Sequence, residues 1–400
     1  MRKRDKNVLI FLTRGGEFEL RVFLGAQDAA ETRHWNLSAV ECIRDADGSL
    51  RFIRSPGGVT LGEIFRYARP DGVIVIGNAI RPEELPGTWR RMPVVFVDRP
   101  ASWPQAGQPK PVCVYSDATS YARIAAQELF RSGFSDYAYL PWFGDQAWSR
   151  ERGKCFAELV GRAGFTFHSF IPPSSGPAAD PVAYLAPFME SLPKPCGIFT
   201  ANDVQGEAAL RICAAHGWSV PQEIAVVGVD NLEFICEATS PTLSSVCRFL
   251  EGDGRVAVAL LSRWMNSPER RPASRATPAL HVVRRSSTFF SSDRRIARAM
   301  EFIRLHACDE GFSPSRVMRE IGLGRTQTAF LFRKVQGCSV LDAIHEVRLA
   351  RAKTLLRAGR SASYVADTCG FASLVDFRRV FKRHTGQTVR KWTLAACATG

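Results

Sequence analysis

Short apolar runs alternate with amphipathic stretches through roughly the first three-quarters of the chain. NVLIFLT (Asn7–Thr13), DGVIVIG (Asp71–Gly77), MPVVFVDRP (Met92–Pro100) and VCVYSD (Val112–Asp117) carry consecutive apolar residues. Such runs suit strands buried on both faces of a parallel sheet. Trp35–Glu41 reads as a further strand, and Glu17–Ala30, Gly62–Tyr67 and Ala118–Ser132 read as helices. The alternation then repeats. Strands are expected at Tyr137–Pro141, Thr166–Ile171, Cys196–Asp203, Glu223–Asn231, Leu243–Val246 and His281–Ser286. Helices are expected at Arg150–Arg162 and Val182–Leu192, with two more reaching His216 and Trp264. Pro172–Pro181 has the composition of a surface loop. Strand–helix alternation of this kind predicts an α/β fold with doubly wound parallel sheets, arranged as two similar lobes with crossing connections.

The periodicity changes near the C-terminus. In Ser361–Trp392 (SASYVADTCGFASLVDFRRVFKRHTGQTVRKW), Val365 and Ala366 fit a short helix, and Gly370-Phe371 a tight turn. Phe377, Val380 and Phe381 then fall on one face of a second helix, with Ser373, Leu374, Arg378, Arg379, Lys382 and Arg383 on the other. A buried stripe backed by a basic face, entered through a turn, describes the reading helix of a helix-turn-helix. Ser313–Val335 carries a similar pattern, with Gly322 at the equivalent turn and Arg348–Leu356 as the joining helix. Two helix-turn-helix units are expected, one at about 313–335 and one at about 361–384. Their reading helices could enter successive major grooves about 34 Å apart.

Charge follows the same division. From Ser291 onward 20 Lys/Arg stand against 9 Asp/Glu, a net of +11, which leaves +3 of the overall +14 for the rest. A basic tail on a near-neutral body points to a polyanion at one end. The expected organisation is a sensor at about 1–290 and an all-α DNA-binding domain at about 291–400. The sensor's first lobe takes about 5–116 plus 247–275, and its second about 117–246 plus 276–290. The serines and charges of Arg284–Arg294 read as a linker.

Other chemistries find little support. The 11 cysteines have no CxxC spacing, and no Cys/His quartet has zinc-ligand spacing. Cys155, Cys196, Cys213, Cys236 and Cys369 read as small hydrophobes, with no metal and no cofactor expected. No GxxxxGK[ST], GxSxG or HExxH appears, so an enzyme is not expected. After Arg2-Lys3-Arg4 the apolar run Val8–Leu12 is too short for a signal peptide core, and no long apolar span follows. A cytoplasmic protein without a membrane partner is expected.

In doubly wound sheets ligands sit beyond the carboxyl ends of strands. Asp98, Arg99, Asp117, Asn202 and Asp230 lie at or just past such ends, and Arg152 lies early in a helix. Carboxylates and an arginine fork suit the hydroxyls of a small polyol. Asp98 and Asp117 serve equally well as caps or hinge residues. Phe18, Trp142 and Trp148 are the aromatics best placed to face the cleft, or else to pack its rim.

Two resemblances sharpen this reading. GIFTANDVQGEAALRICAAHGWSVPQEIAVVGVDN followed by SPTLSSV resembles the LacI/ribose-binding-protein fold, a periplasmic-binding-protein type I core. VVFVDRP, VYSD and SRERGKCF fit their places in it. The C-terminal wording resembles the second helix-turn-helix of AraC-type regulators. The combination resembles the xylose-operon activator family over nearly the whole chain. It implies a sugar-responsive transcription regulator, an activator of pentose use, with a sugar effector, an operator in double-stranded DNA, RNA polymerase and a second copy of the chain as partners. By resemblance Asp98, Arg99, Arg152, Asn202 and Asp230 match pentose-binding positions. Arg248 replaces the family's Gln and joins the expected effector contacts with Asp117, Trp148 and Phe18. For DNA the expected contacts are Arg325, Thr326, Ala329 and Arg333 in the first unit. In the second they are Ser373, Leu374, Val375, Arg379, Lys382 and Arg383. Arg379 matches the family's base-reading Arg, and its fork suits guanine O6/N7. Phe330 stands where the family often has Arg, and Val389 where it usually has Pro.

Overall fold

The computed structural model describes the chain apart from residues 1–4, 14–15, 45–48, 54–58, 78, 82–83, 86–91, 99–110, 143–145, 172–180, 290–293 and 399–400. The first lobe contains β1 (Asn7–Thr13), α1 (Glu17–Glu31), β2 (Asn36–Arg44), β3 (Leu50–Phe52) and α2 (Leu61–Ala68). It continues through β4 (Gly72–Ile76), β5 (Val94–Val97) and β6 (Val112–Ser116). The chain crosses into the second lobe with α3 (Ala118–Leu129), β7 (Asp136–Leu140), α4 (Ala147–Arg162), β8 (Thr166–Ser169) and α5 (Pro181–Ser191). There follow β9 (Cys196–Thr200), α6 (Asp203–His216), β10 (Ile224–Asp230), α7 (Glu233–Ala238) and β11 (Ser244–Cys247). It returns to the first lobe with α8 (Leu250–Asn266) and β12 (Arg275–Thr277), and to the second with β13 (Val282–Val283).

The first sheet has seven strands in the order β12-β6-β5-β4-β1-β2-β3, and the second six in the order β13-β11-β10-β9-β7-β8. Only the edge pairs β2–β3 and β11–β13 are antiparallel. The fully buried runs of β4, β5 and β9 explain why these segments read as continuous apolar stretches rather than alternating ones. Helices α1 and α8 cross in close contact. A Cβ on Gly25 would lie 1.9 Å from the Glu251 carbonyl oxygen, and one on Gly254 2.1 Å from that of Val22. The crossing therefore requires both glycines.

The expected strand at His281–Ser286 shrinks to the two residues of β13, and the expected loop lies outside the described residues except for Pro181, which opens α5. The linker reading of Arg284–Arg294 is corrected for residues 284–288, while residues 290–293 lie outside the described residues. Arg285, Ser287 and Thr288 are buried. Ser287 Oγ donates to the Val226 carbonyl at 2.6 Å, and Thr288 Oγ1 donates to Glu128 at 2.9 Å. The segment is fastened to the second lobe by polar groups whose composition resembles that of a linker.

The C-terminal part is all helical: α9 (Arg294–His306), α10 (Pro314–Ile321), α11 (Arg325–Gln336), α12 (Val340–Arg357), α13 (Ala362–Thr368), α14 (Leu374–Thr385) and α15 (Val389–Ala398). It has two cores. Ile296, Ile303, Val317 and Phe332 gather in the first, Val365, Phe377, Val380 and Phe381 in the second. Helix α12 contributes to both: Val340 and Ile344 to one, Leu349 and Leu356 to the other. Gly322 and Gly370 end their helices with φ of 64° and 72°, where a side chain is disfavoured. No described helix is long and apolar enough to cross a membrane.

Candidate effector cleft and nucleic-acid interface

The carboxyl ends of β5, β6, β10 and β11 bring together charged side chains from both lobes. Arg248, directly after β11, is 2% exposed. Its Nε donates to Asp253 of α8 at 2.8 Å, and its Nη1 donates to Asp98, just past β5, at 2.6 Å. Asp230, at the end of β10, lies 4.0 Å away. Burial alone would favour a neutral guanidinium, but the fields of Asp253, Asp98, the Tyr121 hydroxyl and Asp230 outweigh it and raise the Arg248 pKa. Burial pushes the Asp230 carboxyl up, and Arg248 and Arg152 pull it back.

Arg152 of α4 is also 2% exposed. It donates to the Ala201 carbonyl, and through Nη2 to Ser116 Oγ at 3.3 Å, so it ties the second lobe to the end of a first-lobe strand. Tyr121 and Trp148 flank it at 5.0 and 5.2 Å, and the Phe18 ring of α1 lies 5.3 Å from the Arg248 guanidinium. The aromatic faces therefore hold arginines. Asp98 and Asp230 have φ of 68° and 99°, a strained backbone for residues other than glycine.

Five buried side-chain atoms of the described residues lack a hydrogen-bond partner: Tyr121 Oη, Arg152 Nε, Asp230 Oδ1, Arg248 Nη2 and Gln205 Oε1. The first four belong to this one cluster, two donors, an acceptor and a hydroxyl that can be either. Leaving such a group unpaired costs about 1–3 kcal/mol.

Of the expected effector contacts, Asp98, Arg152, Asp230, Arg248, Phe18 and Trp148 thus converge. Asp117 and Asn202 do not join that network by a side-chain bond. Asp117 accepts the Thr119 amide and caps α3, and Asn202 accepts the Gln205 amide and caps α6. Arg99 lies outside the described residues. Trp142 packs 6.5 Å from Trp148 on the neighbouring core. Tyr121, Ser116 and Asp253 were missed. They sit in helices or at a strand end and join the cluster only through the crossing of the chain, although Asp253 lies five residues after Arg248 in the first turn of α8.

At the other end, Arg325, Thr326, Ala329 and Arg333 are exposed along α11, and Phe330 among them is 63% exposed. In α14, Val375, Arg379, Lys382 and Arg383 are exposed. Leu374, expected to face outward, is instead half-buried against the second core, because it occupies the first turn over Phe377. Ser373 caps the helix by accepting the Asp376 amide. Arg379 donates to Asp376 at 2.6 Å. Arg383 reaches back to α12, with its Nη2 3.4 Å from Asp342, 3.3 Å from His345 and 3.2 Å from His384. A cavity of about 750 Å³ beside α14 has Arg360, Arg378, Arg379, Lys382 and Arg390 in its lining, beside apolar residues that include Leu356, Ala362 and Val389.

Body and tail meet at two carboxylates, Glu237 of α7 and Glu301 of α9, the latter accepting from Thr242 and Ser286 of the body at 3.4 Å each. Glu237 of α7 accepts from Arg285 at 2.7 Å and from Arg304 of α9 at 2.5 Å. Arg285 also donates to Asn231 Oδ1 at 2.9 Å, next to Asp230 of the cleft. A further contact runs from Arg255 of α8 to the Arg357 carbonyl of α12 at 3.4 Å.

A family model described as a periplasmic binding protein-like domain matches residues 126–288, and one described as a helix-turn-helix domain matches residues 317–394. The two matched regions follow one another along the chain. It is 28% identical over 287 residues to the xylose operon regulatory protein of Escherichia coli (strain K12), covering 70% of this chain and 73% of that protein. The xylose operon regulatory protein of Haemophilus influenzae is 26% identical over 291 residues, covering 70% and 74%. Among solved structures, a xylose-binding transcription activator matches 99% of both chains with a TM-score of 0.57 at 23% identity. A lac repressor dimer bound to operator matches 72% of this chain and 96% of its own, with a TM-score of 0.56 at 14% identity. At these identities the structural matches establish the fold, a two-lobed α/β body with an all-α helix-turn-helix tail. These relatives are regulators rather than enzymes.

Proposed function

We propose that the chain is a sugar-responsive DNA-binding transcription regulator. Its effector is a neutral pentose of the xylose type, held by Asp98, Arg152, Asp230 and Arg248. The observation that carries this is the convergence of four unpartnered polar atoms between the lobes. A polyol supplies hydroxyls that both donate and accept, and so matches that mixed set. The relatives named for the xylose operon support the sugar class. Arg248 does not turn the cleft into an acid-binding site, because Asp253 and Asp98 already balance its charge. A neutral sugar is therefore preferred over a sugar acid.

On this reading residues 1–290 form the sensor and 291–400 the DNA-binding domain, a division supported by their separate cores. The protein acts in the cytoplasm as a homodimer and activates a pentose-use operon together with RNA polymerase, as its resemblance to the xylose-operon activators implies. Arg379 reads a base, Lys382 and Arg333 hold phosphates, and α11 and α14 enter successive grooves. The sugar shifts DNA binding by its differential affinity for two arrangements of the lobes, passed on through Glu237.

Calorimetry with a panel of neutral pentoses, hexoses and sugar acids tests the proposal. Saturable binding of a pentose, with weaker binding of its acid, is expected. Binding of none of them leaves the body a dimerisation module and removes the sensor role.

A further inference from the structure

One pair of thiols stands apart from the other cysteines. Cys369, the residue after α13, is wholly buried at the turn of the second helix-turn-helix. Cys308 lies two residues past α9, half-buried and packed on the core that contains Cys369. The two thiols lie in one shared core, close enough to act electrostatically on one another. Their backbones also meet, since a Cβ on Gly370 would lie 2.9 Å from the Cys308 carbonyl oxygen. Helix α12 holds this junction in place. Arg348 Nε donates to the Ala307 carbonyl at 2.7 Å, and its Nη2 donates to that of Phe312 at 3.0 Å. Arg351, nearly one turn on, is close enough for its charge to act on the Cys308 thiol.

We infer that Cys308 and Cys369 form a redox-active dithiol, in which Cys308 attacks a hydroperoxide and Cys369 resolves the product to a disulfide. The Cys308 thiolate displaces on the peroxide O–O bond, giving Cys308 sulfenic acid and the alcohol or water. The Cys369 sulfur then attacks the Cys308 sulfur, the S–O bond breaks, and water leaves with the thiol proton. Two thiols are oxidised by two electrons and one peroxide is reduced. A dithiol reductant reverses the reaction.

The electrostatics fit these unequal roles. The neighbouring Cys369 thiol, with Arg351 and Arg348 nearby, overcomes burial and lowers the Cys308 thiol to about 7. Cys369 is pushed up and keeps its proton. Burial pushes Cys196, Cys213 and Cys247 to about 12, which leaves them inert. The new bond would join the loop that follows α9 to the turn in front of the second reading helix. Oxidation would thereby fix the two helix-turn-helix units against each other.

The test uses the full chain, treated with hydrogen peroxide, blocked with N-ethylmaleimide and digested without reductant. Mass spectrometry should find a peptide joined through Cys308 and Cys369, two hydrogen atoms lighter than its parts and separated by a dithiol. Alkylation of Cys308 by iodoacetamide should rise through neutral pH, set by the Cys369 thiol, Arg348 and Arg351 that face it. Cys369→Ala should stop the reaction at a sulfenic acid on Cys308 that dimedone traps, and Cys308→Ser should leave Cys369 reduced. Should either variant misfold, the wild-type cross-link decides. A cross-link elsewhere, or a Cys308 oxidised no sooner than the half-buried Cys155 and Cys338, overturns the inference.

Discussion

The cleft and the second reading helix both offer arginines to a ligand, from opposite ends of the solvation scale. Arg248 is 2% exposed, with carboxylates at 2.6 and 2.8 Å, whereas the Arg379 side chain is 72% exposed beside Asp376. In the cleft the partners are fixed before any ligand arrives. Removing one of them strands a charge in a low dielectric. On α14 the pair is weak and screened by water and salt, so Arg379 can exchange Asp376 for a base edge at little cost. The same side chain is therefore fixed by its neighbours in one place and, on the proposed reading, free to be drawn to DNA in the other. The difference lies in burial, not in chemistry.

The sharpest way to break this contrast is to truncate both arginines. Arg248→Ala should lower the unfolding free energy by about 3–5 kcal/mol in urea melts, because Asp253 and Asp98 lose their counter-charge. Arg379→Ala should change it by less than about 1 kcal/mol. Equal losses would mean that Arg248 is no more buried in solution than Arg379.

Arg152→Ala comes next. Each donor it withdraws from the sugar costs about 1–3 kcal/mol, enough together to abolish sugar binding by calorimetry. Non-specific DNA binding should survive. An unchanged sugar affinity would place the cleft elsewhere.

Within α14 the comparison can be refined. Arg379→Ala should cost about 1–3 kcal/mol at the cognate operator and relax preference at one base position. Competition against a randomised operator measures this, and an equal loss on all sequences would make Arg379 a phosphate contact. The smallest effect belongs to Lys382→Ala, which should weaken all sequences alike and reduce the salt slope by roughly one unit.

The two regions also differed in how much of them could be read from residue order. The helix-turn-helix units depend on local signals: the stripe Phe377, Val380, Phe381, the cap at Ser373, and glycines at φ-positive turns. Those signals are complete within about 25 residues of chain. The cleft was legible from strand-end logic at Asp98 and Asp230, and at Arg152 and Arg248 through the helix start and the family resemblance. Tyr121 and Asp253 are ordinary helix residues until the lobes cross and bring them to Arg248. Asp117 and Asn202 satisfy the same strand-end rule yet cap helices, because one carboxamide or carboxylate at a helix entrance suits either role. The segment around Arg285 was misread because serines and arginines look alike in a linker and in a buried polar lock.

The carboxylate of Glu237 has a bearing on how such proteins can be recombined. It is shared by Arg285 on the sensor side and Arg304 on the tail side. A chimera that grafts another tail after Thr288 keeps the first arginine and loses the second, and the donor body of a reciprocal graft carries the opposite mismatch. Both hybrids can fold, since each half retains its own core. What they lose is the common anchor, so sensing should influence DNA binding less than it does in the intact chain. Restoring the partner of a single acidic residue should matter more to a working hybrid than the length of the joint.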